Sequence, residues 1–207
     1  MMNAETPVSI IVRTHGNRMA LLKTALASLV EQTHEAVQIV VVEDGSEHAE
    51  PHVTNLASTT GRSLIFQSLP KSGKVKAGNA GLAVANGKYL GFLDDDDQLL
   101  PDHVATLASA LDDRPEIAAA YGQAWEIPTR LTSFAPLDEN HARRRPAGRD
   151  PFSKLALMFR NYLPIQSVLF RRTLYESNGG FDEQLDDLED WDLWLRYCAD
   201  HDFLSVP

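Results

Sequence analysis

The amino-acid sequence predicts a doubly wound α/β domain, a mostly parallel central sheet flanked by helices. Three short, nearly continuous apolar runs carry this expectation: Val8-Ser9-Ile10-Ile11-Val12, Gln38-Ile39-Val40-Val41-Val42 and Tyr89-Leu90-Gly91-Phe92-Leu93. Runs of this kind suit strands buried on both faces of a parallel sheet. Helical spacing lies between them. Leu21, Leu22, Ala25, Leu26, Leu29 and Val30 recur at three- and four-residue steps, and Leu82, Ala83 and Ala85 mark a second helix. Leu64-Ile65-Phe66 adds a strand. Strand and helix thus alternate over roughly the first hundred residues, which implies right-handed crossovers.

The second half is less regular. Pro101 to Leu111 reads as a helix that begins at proline, a favoured first position. Ile117 to Trp125 and Val168-Leu169-Phe170 read as strands, Gly179-Gly180 as a turn, and Leu188 to Ala199 as a helix. Pro128 to Pro151, rich in Pro, Arg and polar residues, reads as a long loop of the kind that often carries function. No interdomain linker is evident. The whole chain is expected to form a single domain with two halves.

Composition narrows the function. The 207 residues are 43% hydrophobic and 23% charged, ordinary for a globular protein. A formal charge of −10 and a pI near 5.1 exclude the basic footprint of a nucleic-acid binder. The single cysteine, Cys198, excludes a disulfide framework and a Cys-based zinc site, and fits a reducing cytoplasm. Met1 to Pro7 has neither the positive start nor the apolar core of a signal peptide. No apolar run approaches the roughly 18 residues of a membrane span. A cytoplasmic protein is expected, with peripheral attachment at the inner face of the membrane left open.

Each strong strand run ends in polar residues: Arg13-Thr14-His15, Glu43-Asp44-Gly45-Ser46, and Asp94 to Asp97. Open parallel sheets bind ligands beyond the carboxyl ends of their strands, so three strand ends would deliver polar groups to one crevice. The sharpest motif is Leu93-Asp94-Asp95-Asp96-Asp97. Four adjacent carboxylates repel one another unless water or a cation neutralises them. A solvated acidic loop is the plain alternative. An EF-hand is excluded, because the sixth residue counted from Asp94 is Leu99 rather than Gly, and the twelfth is Ala105 rather than Glu. What remains is a hard-cation site with few protein ligands and open positions for phosphate oxygens, suited to Mg²⁺ or Mn²⁺. Asp97 suits the cap of the helix that follows.

These motifs occur in an order that resembles a known family. The ordered set is Val8-Ser9-Ile10-Ile11-Val12-Arg13-Thr14, Ser28-Leu29-Val30-Glu31-Gln32-Thr33, Val41-Val42-Glu43-Asp44-Gly45-Ser46, Gly78-Asn79-Ala80-Gly81, Ala85-Asn86-Gly87-Lys88-Tyr89, Phe92 to Asp97 with Pro101-Asp102, Gly179-Gly180-Phe181-Asp182-Glu183 and Glu189-Asp190-Trp191. It resembles the family 2 inverting glycosyltransferases of the GT-A (Rossmann-like) fold, over almost the entire chain.

The resemblance implies roles. Residues 1–207 would form one GT-A domain, about 8–102 binding the nucleotide sugar and about 103–207 the acceptor, truncated at the C-terminus because family members usually continue. Asp44 would accept a hydrogen bond from the nucleobase, and Thr14 would lie beside the same nucleoside. Asp94-Asp95-Asp96 matches the DXD motif: Asp96 would ligate Mn²⁺ or Mg²⁺, with Asp94 and Asp95 near the ribose and the metal's waters. Asn79 would sit in the donor site. The family often has arginine where Gly78 stands, and Lys76 is the substitute for that phosphate contact. Asp190 would be the general base. The implied partners are a nucleotide-diphosphate sugar, a UDP-sugar by preference, and a saccharide or lipid-linked acceptor hydroxyl in cell-surface polysaccharide synthesis.

Plain alternatives stand beside several of these roles. Asp44 could simply form the turn before Gly45, and Glu189-Asp190 could simply complement a helix dipole. Asp192 and Arg196 form an i,i+4 pair suited to a surface salt bridge. Arg143-Arg144-Arg145 and Arg149, with His141, would be either an exposed loop or a flexible anion-binding segment. Two other functions would leave different marks on the sequence. A sugar nucleotidyltransferase would want a Gly-rich basic loop after the first strand, where Arg13 to Arg18 holds one glycine. A non-catalytic nucleotide-sugar-binding module would not need intact acids at 44, 94, 96 and 190.

Overall fold

The structure, a computed structural model, describes residues 5–16, 18–127, 145–147 and 151–207. Its first half alternates strand and helix without interruption: β1 (Val8–His15), α1 (Met19–Val30), β2 (Val37–Asp44), α2 (Glu50–Thr60), β3 (Ser63–Leu69), α3 (Lys74–Val84) and β4 (Tyr89–Asp94). Then come α4 (His103–Asp112), β5 (Ala119–Tyr121), β6 (Ala124–Glu126), β7 (Arg145–Ala147), α5 (Lys154–Phe159), β8 (Val168–Arg171), α6 (Arg172–Asn178), α7 (Glu189–Tyr197) and β9 (Phe203–Ser205).

The main sheet has the order β3-β2-β1-β4-β8-β5-β9. Strand β8 runs antiparallel to both β4 and β5, and every other strand shares one direction. The expected mostly parallel α/β sheet is present. Chain order reverses between β1 and β4, and that reversal opens a crevice at their carboxyl ends.

Alternation along each strand splits the core into two layers. Ile11, Val40, Val42, Leu90 and Phe92 join Leu82 of α3 and Leu193, Trp194 and Tyr197 of α7 on one face. Ile10, Val12, Ile39, Val41 and Leu93 join Leu22, Leu26 and Leu29 of α1 and Val104, Leu107 and Leu111 of α4 on the other. Both faces are covered, which is why the strands read as unbroken apolar runs. Helix α3 lies close enough to β1 that a Cβ on Gly81 would collide with the Ile11 side chain.

Three expectations need adjustment. Helix α4 starts at His103, two residues after Pro101, because Gln32 fixes its beginning: the side-chain amide donates to the Leu100 carbonyl (2.7 Å) and accepts from the Val104 N–H (3.0 Å). Asp97 therefore lies well before that helix and caps nothing. The expected strand from Ile117 to Trp125 breaks at Gly122, whose N–H donates to the Ser167 carbonyl (3.0 Å). Beyond it, β6 pairs with β7 in a separate two-stranded sheet. Helix α2 was not foreseen, since Val53 is its one buried apolar residue and leaves almost no periodic signal. The loop expected over 128–151 lies mostly outside the described residues, as does most of its arginine patch.

Candidate active site

Strand β1 leaves the core through Arg13 and Thr14, both buried, and turns at Gly16, which adopts a left-handed φ of 55°. Beside it, β4 ends in the acidic run and β2 ends at Asp44. Together with Lys74 and Ala77 of α3, these ends line a cleft of about 220 Å³ that includes Arg13, Thr14, His15, Arg18 and Asp94 to Asp96. The expected convergence of three strand ends on one crevice is what the structure has.

Within the cleft, acids and cations interlock. The Arg13 guanidinium grips Asp94 with two parallel bonds, Nε to Oδ1 at 2.7 Å and Nη2 to Oδ2 at 2.9 Å, and reaches Glu189 with Nη1 at 3.1 Å. Its carbon stands 5.5 Å from the Phe181 ring centroid and 5.9 Å from that of Phe92. Burial opposes the Arg13 charge, but Asp94 and Glu189 outweigh it and hold the group firmly protonated. Lys74 closes the other side of Glu189 at 2.9 Å. Burial pushes the Glu189 pKa up, yet Lys74 and Arg13 carry it below the usual range.

Asp95 is buried and has both oxygens occupied, one by the Thr14 hydroxyl at 2.6 Å and one by Arg18 at 2.7 Å. Burial raises its pKa. Asp96 is 54% exposed, and one oxygen meets the same Arg18 nitrogen at 2.7 Å. Burial, then the charges of Asp96, Asp94 and Asp95, push Asp97 up to about 7. Asp44 accepts from the Ser72 N–H (2.5 Å), the Gly73 N–H (2.9 Å) and the Ser72 hydroxyl (3.2 Å). It thus shapes the entry to α3 while lining the cleft.

Asp190 opens α7 directly after Glu189, so the helix that bears it is tied to the cleft through Arg13 and Lys74. One of its oxygens accepts from the Asn161 amide at 2.8 Å and the other from the Trp191 N–H at 2.8 Å. Burial raises its pKa against these two bonds, and neighbouring Glu189 adds to the rise. A carboxylate made more basic than usual is suited to taking a proton.

Comparison with known proteins identifies the chain. Residues 9–163 match the family model described as glycosyl transferase family 2. The chain belongs to that family. The uncharacterized glycosyltransferase YwdF of Bacillus subtilis is 30% identical over 206 residues, 97% of this chain and 71% of that protein. The O-antigen biosynthesis protein RfbC of Myxococcus xanthus is 28% identical over 193 residues, which cover 91% of this chain but 14% of RfbC. Solved structures share the GT-A fold. The mannosyltransferase PcManGT of Pyrobaculum calidifontis, in complex with GDP-Man and Mn²⁺, superposes with a TM-score of 0.71 at 18% identity, covering 98% of this chain and 55% of that one. S. aureus TarS 1-349 in complex with UDP-GlcNAc gives 0.68 at 18% identity, covering 97% and 59%. No helix among the described residues is long and apolar enough to cross a membrane.

The family 2 site departs from its sequence-based outline in several places. Lys76 is exposed and does not line the cleft; Lys74, two residues earlier, does. Asn79 is outside the lining too. Its amide donates to the Phe181 carbonyl (3.0 Å) and to Glu183 (3.2 Å), and its oxygen accepts from the Phe181 N–H (2.8 Å), so it pins the Gly180-Phe181 turn onto α3. Gly78 stands where arginine was expected because a Cβ there would collide with the Phe181 ring.

The sequence left Arg13, Arg18 and Glu189 without a site role, and offered Lys74 only together with Lys71 and Lys76 as charge to balance the diphosphate. A clue existed in Arg13: a cation at the end of a buried strand needs buried acids, and Glu189 adjoins a named one.

The donor set also bears on a metal. Among the described residues no group of three or more His, Cys, Asp or Glu converges on one point, so a closed protein cage is absent from them. Both oxygens of Asp94 and both of Asp95 are engaged, whereas the second oxygen of exposed Asp96 has no partner among the described residues. A single open carboxylate beside a polar cleft fits a hard divalent ion that takes its remaining ligands from phosphate and water.

Proposed function

We propose that this protein transfers a sugar from a nucleotide-diphosphate sugar, a UDP-sugar by preference, to a hydroxyl of a saccharide or lipid-linked acceptor, with inversion at the anomeric carbon. The observation that carries this reading is the Arg13 bridge, which joins the acidic run at the donor cleft to the helix start that presents Asp190. Asp190 accepts the proton of the acceptor hydroxyl as the new bond to the anomeric carbon forms. The bond from that carbon to the diphosphate breaks on the opposite face, and the nucleoside diphosphate leaves. Single displacement of this type inverts configuration and needs no covalent enzyme intermediate.

Asp44 and Thr14 lie where a nucleoside would rest at the ends of β2 and β1, and Lys74 and Arg18 supply positive charge for the diphosphate. Asp96 would hold Mn²⁺ or Mg²⁺, which when bound supplies charge stabilisation for the leaving diphosphate. The Mn²⁺ in the PcManGT complex supports a divalent ion here. The similarity to RfbC, an O-antigen biosynthesis protein, supports an acceptor in surface polysaccharide synthesis.

The test is a thermal-shift screen of UDP-, GDP- and dTDP-sugars with and without Mn²⁺, followed by a transfer assay with the best donor. A ligand that binds only the native state raises its stability. A metal-dependent shift with UDP-sugar and turnover of the donor is expected. Binding without turnover would favour a non-catalytic module instead, and no metal-dependent shift with any donor would end the transferase reading.

A further inference from the structure

We propose that Arg18 is a built-in counter-ion: it occupies the cation position of the acidic run before metal binds, then turns to the donor's diphosphate. This inference rests on the transferase reading above. It begins with one nitrogen, Arg18 Nη2, that stands 2.7 Å from an oxygen of Asp95 and 2.7 Å from an oxygen of Asp96. A cation bridging two carboxylates of the DXD run is where a divalent ion at Asp96 would exert its charge. A metal entering at the free oxygen of Asp96 therefore competes with Arg18 for the charge of the same carboxylate.

The second observation is an unmet hydrogen bond. Arg18 Nε is buried and has no partner among the described residues, a defect it shares there only with Gln67 Oε1. A buried donor left unpaired is destabilising, and in native structures such a group calls for a cause, among them strain, a catalytic role, or a water or ion. Arg13, by contrast, uses Nε, Nη1 and Nη2 on Asp94 and Glu189. Arg18 is also placed to move. It precedes the first turn of α1 and is not locked in a buried two-acid grip, its side chain being 27% exposed against 5% for Arg13. A guanidinium presents a planar fork that matches phosphate oxygens. A diphosphate held by Asp96-bound metal would offer Arg18 acceptors in place of the ones it gives up.

The exchange has a thermodynamic signature opposite to that of a simple phosphate ligand. Metal alone must share or take over the carboxylate that Arg18 already neutralises, so Arg18 weakens metal binding in the absence of nucleotide. Nucleotide gains Arg18, so the same residue strengthens nucleotide binding when metal is saturating. Mn²⁺ titrations followed by electron paramagnetic resonance, and UDP titrations at saturating Mn²⁺ by calorimetry, read the two terms separately.

For Arg18→Met, relief of the competition should tighten Mn²⁺ binding without nucleotide by about tenfold, and loss of the fork should weaken UDP binding by about tenfold. Arg18→Lys keeps a charge and guards against a misfolded variant; it should fall between wild type and Arg18→Met in both titrations. Unchanged or weaker metal-only binding in Arg18→Met, with wild type binding UDP and Mn²⁺ together, would overturn this inference alone. Wild type that binds neither Mn²⁺ nor UDP would overturn the transferase reading and the inference with it.

Discussion

At the amino ends of the parallel strands, arginines spend themselves on main-chain carbonyls. Arg62 donates to the carbonyls of Val30, Gln32, His34 and Glu35 at 2.7–3.1 Å. Arg171 reaches those of Leu111, Arg114 and Ile117, and Arg172 those of Ala85 and Gly87. At the carboxyl ends, Arg13 and Arg18 meet carboxylates instead. A carbonyl carries no net charge and does not titrate, so it needs no replacement cation, and arginines of the first kind act as fasteners. A carboxylate can trade its arginine for another cation. Similar residues at two ends of one sheet therefore divide into those that hold the fold and those that hold the chemistry.

The division is tested most severely at Asp190. Asp190→Asn keeps the size and much of the helix-start character, so stability should fall by no more than about 1 kcal/mol. Loss of a general base should cut sugar transfer by about 100- to 10,000-fold. UDP-sugar affinity, titrated on the same purified variant, should barely move, because the proposed base would face the acceptor. Near-normal transfer would leave Asp190 as a helix-end charge.

Next comes Asp96→Ala, which removes the carboxylate with a spare oxygen. Metal-dependent UDP binding should weaken by about 100-fold, in the upper range for damage to a metal site. The melting temperature should hold, since removing one of four crowded acids relieves repulsion. UDP binding that still responds to Mn²⁺ as in wild type would remove Asp96 from the site.

The opposite end of the sheet should behave in reverse. Arg171→Met leaves the carbonyls of Leu111, Arg114 and Ile117 short of a donor. The first two keep the main-chain N–H donors of Arg114 and Ile117, so unfolding in urea should show a loss of about 1–3 kcal/mol, chiefly from the Ile117 carbonyl. Turnover of the folded fraction should be unchanged. A selective loss of turnover at full stability would break the comparison.

Much of this division could be read in the sequence, and the unread part has physical causes. Strands β1, β2 and β4 are apolar on both faces, so their runs are unbroken and their polar ends conspicuous. Tertiary partnership is not periodic. Nothing in the order of residues says that Glu189 pairs with an arginine 176 positions away, or that Asn79 bonds to the main chain of Phe181. Lys74 and Lys76 are equivalent in composition, and only the start of α3 at Lys74 sets which one meets the cleft. The antiparallel β8 was visible as a strand, but its direction depends on the path taken by α5 and the turn at Ile165–Ser167.

The carboxyl end is not free of structural duty, and acid titration sharpens that point. His103, at the start of α4, has its imidazole enclosed beside Gly122. Burial lowers its pKa to about 4, against the smaller raising effects of Asp102 and the Gln166 main chain. Because the folded pKa lies below the unfolded one, the unfolded chain binds more protons between about pH 6.5 and pH 4. Stability from this group is therefore present above pH 6.5 and lost as pH falls through that window, on the order of 3 kcal/mol in all. Urea unfolding of His103→Gln should show a flatter decline than wild type over the same range. Parallel declines would mean that other groups dominate.

The smallest expected effect lies where the two duties meet, at Leu188. It is the non-glycine residue with positive φ among the described residues, at 60°, directly before Glu189 and Asp190. Left-handed backbone costs an ordinary L-residue about 1–2 kcal/mol. Strain of this kind tends to gather at functional sites, where surrounding structure holds it. Here the Arg13 and Lys74 contacts to Glu189 supply that hold. The leucine side chain itself is 59% exposed, so little burial is lost by replacing it. Asparagine tolerates the left-handed region without the extra backbone entropy of glycine. Leu188→Asn should therefore raise stability by about 0.5–1 kcal/mol, read as a melting-temperature increase of a few degrees. Transfer rates separate two causes of the strain. If the turn is merely tolerated, the asparagine variant keeps the same φ and turns over at the wild-type rate. If the leucine side chain itself contacts the acceptor, transfer falls through a higher acceptor KM while donor affinity stays fixed. A loss of stability in Leu188→Asn would show that the leucine side chain gives more to packing than its backbone costs.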